Sequence, residues 1–106
     1  MTSIDTLREV ELVRGFKARF VHTENFTLSF VTVEAGSILP DHSHPNEQVS
    51  QVIEGQFEMQ VGDEKFILNP GNIIVIPSNV HHSGKAITPC KIQDTFYPVR
   101  EDYKRL

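Results

Sequence analysis

The chain has 106 residues, of which 39% are hydrophobic and 23% charged, so it fits a single folded domain over residues 1–106. The net charge of −4 excludes a broad basic surface, so nucleic acid is not an expected partner. The single cysteine, Cys90, excludes an intramolecular disulfide. The first nine residues lack the apolar segment of a signal peptide, and the longest apolar run, 73–76, is too short to span a bilayer. We therefore expect a cytoplasmic protein with no membrane partner.

The predicted elements are short strands separated by turns. A first strand is expected within the first 21 residues, where mixed charges leave its boundaries open. Segments rich in β-branched and aromatic residues predict further strands over 26–33, 49–53, 57–61, 65–68 and 91–97, and the continuous apolar run 73–76 predicts another. Gly62-Asp63 predicts a hairpin, and Asn69-Pro70-Gly71 predicts a tight turn. Regularly spaced short strands of this kind are typical of an all-β barrel or sandwich, which here ends in a polar tail.

Two clusters of histidines indicate a metal site. His42 and His44 are two positions apart, so in an extended chain both rings project to the same face. Gln48 can return to that face after the turn at Pro45. His82 ends the second cluster, at residues 77–82, and reaches the first only if strands pair across a barrel. Nitrogen ligands with one oxygen suit Zn, Fe, Ni, Co or Mn, and these residue types do not choose among them.

Two neighbouring residues offer alternatives to these ligands. Glu47 could replace Gln48, although its side chain should point to the opposite face if a strand begins there. His81 could replace His82 by the same alternation. The remaining histidine, His22, is expected to be a surface or hydrogen-bonded residue.

The histidine clusters lie in two motifs that resemble those of the cupin family. Over residues 36–55 and 71–86, the matching positions are Gly36, His42, His44, Gly55, Gly71, Pro77 and His82. Gln48 stands where the family has glutamate, while Asn79 and Ala86 depart from the second motif. The motif spacing from Pro77 favours His82 over His81. The resemblance implies a single-domain all-β jelly-roll barrel, also called a double-stranded β-helix, with one divalent metal ion on His42, His44, Gln48 and His82.

These departures have physical consequences. Asn79 can still adopt the left-handed conformation that the family's glycine would take, so the turn should survive. Three neutral imidazoles and an amide leave the positive charge of the ion uncompensated. That should sharpen its action on a bound water or substrate oxygen.

A more specific resemblance covers most of the chain from Gly36 onward. The segments 42–48, 54–58, 76–82 and 94–102 are similar to those of the KdgF family of pectin-degradation cupins. That family opens 4,5-unsaturated monouronates, formed when pectin or alginate is broken down, into linear keto acids. The resemblance implies an enzyme that acts on a small acidic sugar and forms a homodimer. Departures beside the site leave the substrate open, and they are Asn46, Gln51, Asn72 and His81.

The same resemblance implies that Asp94, Phe96 and Arg100 join the metal site. Asp94 and Phe96 are two apart on one strand, so both can face the barrel interior. Asp94 is then the candidate general acid/base, because ketonisation of an enol needs a proton on carbon. Arg100 offers a fork for a carboxylate, and Phe96 an apolar wall. Alternatively, Phe96 is a core residue and Arg100 forms a salt bridge in a solvated tail.

Two other functions fit the same motifs. Many cupins bind iron and act as dioxygenases, which would consume oxygen where ring opening does not. A non-enzymatic cupin would bind a sugar without turning it over. The sequence leaves both as alternatives to a ring-opening enzyme.

Overall fold

The computed structural model describes residues 1–106 and contains ten strands with two short helical segments. None of its helices is long and apolar enough to cross a membrane. A 3-10 turn covers Ile4–Thr6 and the helix α1 covers Glu101–Lys104. The strands are β1 Val10–Val13, β2 Phe16–His22, β3 Thr27–Val33, β4 Ile38–His42, β5 Glu47–Glu54, β6 Phe57–Val61, β7 Glu64–Leu68, β8 Ile73–Ile76, β9 His82–Ala86 and β10 Cys90–Tyr97.

The strands form two antiparallel sheets that enclose one core. The larger sheet has the order β1-β2-β3-β10-β5-β8 and the smaller one β4-β9-β6-β7. Side chains alternate between the core and the outer face, as the period of two in each strand requires. Phe16 from the larger sheet meets Phe57 from the smaller one with ring centroids 6.2 Å apart and nearly perpendicular planes. This arrangement confirms the predicted all-β jelly-roll barrel.

The turns follow the glycine and asparagine signals of the sequence. Gly62 and Gly71 have positive φ, at 56° and 90°, in the predicted hairpin and tight turn. Asn79 also lies in the left-handed region, with φ of 64°, as expected for an asparagine that replaces glycine. These local predictions are confirmed because the backbone conformation of a turn depends on the residues within it.

The strands β4 and β9 were not expected from residue preferences. Pro40 lies in β4, which is an edge strand where a missing N–H costs no ladder bond. The register of β4 shifts between Leu39 and His42, so a bulge re-aims His42. In β9, Gly84 lets the Phe57 ring approach, since a Cβ there would lie 2.4 Å from two ring carbons. Packing across the barrel therefore fixes these two strands.

The two ends of the chain are more ordered than the sequence indicates. The opening stretch holds two strands, β1 and β2, rather than one. The polar tail ends in α1, and the backbone N–H of Arg100 just before it donates to the Thr27 hydroxyl at 2.9 Å. Tyr103 on α1 packs against Phe20, with ring centroids 4.9 Å apart. Tertiary contacts thus hold a tail that was expected to be a polar extension.

Candidate metal centre and adjoining cavity

The histidine cluster forms on the smaller sheet, where β4 ends and β9 begins. His42 at the end of β4 and His82 at the start of β9 are cross-strand partners, with ring centroids 4.1 Å apart. His44 follows β4, and its ring lies 5.0 Å from that of His82. One ligand atom of each histidine lies within 4.8 Å of the other two. The fold therefore brings together three predicted ligands that come from two distant segments.

Backbone carbonyls orient all three rings in the same way. Nδ1 of His42 faces the carbonyl of Pro40 at 2.7 Å, and Nδ1 of His82 faces that of Val80 at 2.9 Å. Nδ1 of His44 lies 3.0 Å from the carbonyl of Asn46. A ring whose Nδ1–H donates to a carbonyl keeps the lone pair of Nε2 for a metal, which is the usual outer support of metal-binding histidines.

The Nε2 atoms of His44 and His82 lack the hydrogen-bond partners that a metal-free site would need. His82 Nε2 is buried and has no hydrogen-bond partner. His44 Nε2 lies 3.0 Å from Oε1 of Gln48, although Nδ1 of the same ring also faces an oxygen. Either neutral tautomer of His44 then leaves a nitrogen lone pair against an oxygen lone pair. A cation between Nε2 and Oε1 removes that conflict, so the donor set fits a bound metal ion.

Burial favours the neutral imidazole at His44 and His82, which is the form that binds a cation. Burial lowers the pKa of His44, with a further contribution from the nearby Arg100 charge. Burial also lowers the pKa of His82 to about 4. Neutral imidazole is the form that binds metal, so no proton has to leave near neutral pH.

A hydrogen-bond chain runs from Gln48 to Asp94 across two strands. Nε2 of Gln48 donates to Oγ of Ser50 at 2.9 Å, and the Ser50 hydroxyl donates to Oδ1 of Asp94 at 2.6 Å. These donations fix the Gln48 amide so that Oε1 faces His44. Burial raises the pKa of Asp94 to about 6, although the Ser50 hydrogen bond opposes that shift. Ser50 therefore connects Gln48, beside the histidine cluster, to a carboxyl group with a raised pKa.

Arg100 lies inside the barrel but its fork is already engaged. Its Nε and Nη2 donate to the two carboxylate oxygens of Asp102 at 2.9 and 2.7 Å. Its guanidinium carbon lies 4.8 Å from the centroid of the Phe96 ring and 3.7 Å from that of Tyr103. The salt bridge considered from the sequence forms, yet Arg100 is buried rather than solvated. Its positive charge faces the interior of the barrel, where Arg100 lines a small cavity.

The family model for the cupin domain matches residues 29–96. This chain belongs to the cupin family. The structure is similar to KdgF from Halomonas sp., with 27% sequence identity, a TM-score of 0.88, and coverage of 93% of this chain and 94% of that one. An RmlC-like cupin from Shewanella frigidimarina is 25% identical, with a TM-score of 0.91 and coverage of 97% and 94% of the two chains.

More distant cupins share the fold alone. A variant of salicylate 1,2-dioxygenase from Pseudoaminobacter salicylatoxidans is 21% identical, with a TM-score of 0.79. The match covers 83% of this chain but only 28% of that enzyme. No curated protein matches this sequence.

The residues considered as alternatives lie outside the histidine cluster of this cupin. Glu47 is exposed, as strand alternation predicts, and Gln48 is buried. His81 is exposed and its Nδ1 lies 3.4 Å from a carboxylate oxygen of Asp41. His22 contacts the Thr27 hydroxyl at 2.9 Å and stacks on Phe20, so it is a hydrogen-bonded residue.

Asn46 differs from the corresponding residue of the KdgF family, and it helps to orient His44. Its carbonyl faces Nδ1 of His44, and its Nδ2 donates to the carbonyl of Pro98 at 2.7 Å. The turn after β4 is thereby joined to the segment that leads to Arg100. Asn46 is buried and does not line the interior cavity.

The interior cavity of this cupin lies beside the cluster. It has a volume of about 50 Å³, and Asp94 and Phe96 line it from the inner face of β10. Sequence reasoning missed Ser50, although its position two residues after Gln48 on one strand was a usable signal. It also missed Leu12, Leu39 and Tyr103, which line the cavity from other elements and have no local signal of that role.

Proposed function

We propose that this cupin is a metal-dependent enzyme that opens 4,5-unsaturated monouronates into linear keto acids. The observation that carries the proposal is the hydrogen-bond chain that connects Gln48, beside the three histidines, to the carboxyl group of Asp94. The likeness to KdgF of Halomonas over nearly the whole chain supports the same choice. A small acidic sugar is the substrate class that this proposal requires.

The reaction needs a group that moves protons between oxygen and carbon. Opening of the ring breaks the bond between the ring oxygen and the anomeric carbon. The hemiacetal hydroxyl loses its proton to give an aldehyde, and the former ring oxygen takes up a proton to give an enol. The enol becomes a ketone when a carbon of its double bond takes up a proton and the enol hydroxyl loses one. Asp94 is suited to these transfers, since it faces the interior cavity and its pKa of about 6 lies near neutrality.

Other side chains would hold the substrate in place. A divalent cation on His42, His44, Gln48 and His82 would supply a Lewis acid that polarises a substrate oxygen. Arg100 offers a buried positive charge to the uronate carboxylate, while its Nε and Nη2 donate to Asp102. Phe96 presents an apolar surface on the same side of the cavity.

The test is turnover of freshly prepared unsaturated uronate by metal-loaded protein. Loss of the enol-ether absorbance should be accelerated over buffer, and Asp94→Asn should lower kcat by about 10²–10⁴-fold with unchanged metal content. Asp63→Asn, in the exposed β6–β7 turn, is the matched control and should behave as wild type. If metal-loaded wild-type protein does not accelerate the reaction, the proposal is wrong. Oxygen uptake with a catechol, thiol or flavonol panel would then favour the dioxygenase alternative.

We also propose that the protein forms a homodimer through the edge strand β8 and the outer face of the larger sheet at that edge. The edge strand β8 leaves one side of its backbone unpaired, and Ile73 and Val75 are 60% and 53% exposed on its outer side. An uncharged apolar edge of this kind is normally covered. Val75→Asp should therefore give a monomer in analytical ultracentrifugation, whereas Ile67→Asp on the smaller sheet should not. A wild-type monomer at micromolar concentration would contradict the proposal.

A further inference from the structure

The interior cavity is too small for the substrate that the proposed function requires. Its volume is about 50 Å³, whereas sites for small molecules usually occupy about 300–1,000 Å³. A space of this size holds a few ordered waters and not a six-carbon sugar acid. Part of any such substrate must therefore lie outside the interior cavity.

A second cavity, which we call the outer cavity, adjoins the interior one. Its volume is about 370 Å³, within the range of small-molecule sites. Four residues line both cavities, and they are Leu12, Leu39, His42 and Tyr103. Because His42 belongs to the histidine cluster, the outer cavity reaches the candidate metal centre from the solvent side.

Tyr103 stands at the boundary between the two cavities. Neighbouring side chains hold its ring, with Arg100 3.7 Å from the centroid and the Phe96 ring centroid 5.7 Å away. Burial raises the pKa of the Tyr103 hydroxyl, while the Arg100 charge opposes that shift. The phenol is therefore neutral at physiological pH, and the residue presents both an aromatic surface and a hydrogen-bonding group.

The remaining lining gives the outer cavity a defined chemistry. Apolar side chains cover much of it, and Glu11 and Asp102 contribute carboxylates at its border. Carboxylates accept hydrogen bonds from sugar hydroxyls and repel a second carboxylate. The positive charge of Arg100 lies on the interior side. A sugar acid with one carboxylate therefore fits with that group inward and its hydroxylated carbons outward.

We propose that the outer cavity between Leu12, Leu39 and Tyr103 is the second half of the substrate site, with Tyr103 as a specificity-determining residue that contacts the sugar ring. The identity of the ligand rests on the proposed function. The place of the subsite rests on the two cavity volumes and the residues that the cavities share.

Methyl NMR of metal-loaded protein tests the subsite independently of turnover. The probe is D-galacturonate, a saturated six-carbon uronate that lacks the 4,5 double bond and therefore cannot give the keto product. Titration should shift the methyl signals of Leu12, Leu39 and Leu106 in a saturable way. Tyr103→Ala should weaken this binding by about tenfold, since aromatic anchors carry much of the contact energy in such sites. Phe26→Ala removes an aromatic ring that lines neither cavity, and it should leave the binding unchanged.

The outcomes separate the subsite from the proposed reaction. The subsite is wrong, and the function stands, if the wild type turns over unsaturated uronate but galacturonate does not shift the methyl signals of the outer cavity. The same conclusion follows if the wild type is active and Tyr103→Ala binds galacturonate as tightly as the wild type does. If the methyl signals of the outer cavity shift but no unsaturated uronate is turned over, the subsite stands and the proposed function is wrong. Tyr103→Leu keeps apolar bulk without the ring, and gives the same readout should Tyr103→Ala not fold.

Discussion

The Ser50→Ala substitution removes the middle of the hydrogen-bond chain between Gln48 and Asp94. Ser50 is fully buried and makes bonds of 2.9 and 2.6 Å, and an alanine side chain offers no hydroxyl to replace them. A buried donor on Gln48 and an acceptor on Asp94 would both lose their partner. The expected loss of unfolding free energy is about 2–3 kcal/mol in the metal-free protein. For a domain of this size that corresponds to a decrease in Tm of roughly 10–20 °C.

The same substitution should weaken metal binding. With Ser50 removed, nothing holds the Gln48 amide with Oε1 toward His44, so one donor of the cluster becomes free to rotate. Loss of such an outer partner typically lowers metal affinity by about 10–100-fold. Competition with a chromophoric chelator measures this affinity, and urea unfolding of the metal-free protein measures the stability change.

Ser29→Ala is the matched control. Ser29 is also buried and is the neighbour of Asp94 on β3, as Ser50 is on β5, but no hydrogen bond joins its side chain to Asp94. It should change stability and metal affinity far less. If the two variants agree within about 0.5 kcal/mol in unfolding free energy and bind metal equally, the hydrogen-bond chain does not have the role assigned to it.

Three further predictions concern the metal, the core and the tail. Added Zn²⁺ or Ni²⁺ should raise the Tm of the wild type, because the ion binds only the folded state. It should not raise the Tm of His42→Ala. An equal increase in Tm for both proteins would exclude the histidine cluster as the binding site. Gly84→Ala should cost about 1–3 kcal/mol in urea unfolding, because its Cβ would lie 2.4 Å from the Phe57 ring; unchanged stability would show that the ring can move freely. The Arg100 guanidinium lowers the pKa of Asp102, so this pair stabilises the fold fully above the unfolded pKa of about 4, and loses that effect as the pH falls through the lower folded pKa. Tm measured against pH should therefore differ between wild type and Asp102→Asn at neutral pH and converge in acid, and parallel curves would contradict the assignment.

Much of the fold could be predicted because its signals are local. Strand-favouring residue patterns place β3, β5, β6, β7 and β10 within a few residues of their observed bounds, and a continuous apolar run does the same for β8. Gly62 and Gly71 mark their turns because only residues that tolerate positive φ fit there. β9 escaped this reasoning because a segment such as His82–Ala86 has little intrinsic strand preference and depends on its neighbours β4 and β6.

In the candidate site, too, the features that depend on local spacing could be predicted and those that depend on tertiary packing could not. Spacing along the chain anticipated that His42 and His44 belong together, and that Asp94 and Phe96 share one face of a strand. It could not anticipate that Asp102 occupies the fork of Arg100, since the same residues also fit a solvated tail. The choice of a buried side chain over an exposed one is made by packing across the barrel.

The all-β architecture, the turns and the set of candidate metal-binding side chains follow from the amino-acid sequence alone, because periodicity and motif spacing are properties of neighbouring residues. Only the tertiary structure decided that Ser50 and Asp94, 44 positions apart, share a hydrogen bond. It also decided that Tyr103 from the tail stands between the two cavities. Contacts between distant segments follow from how strands pair and sheets pack, and that pairing depends on the whole chain rather than on any one segment.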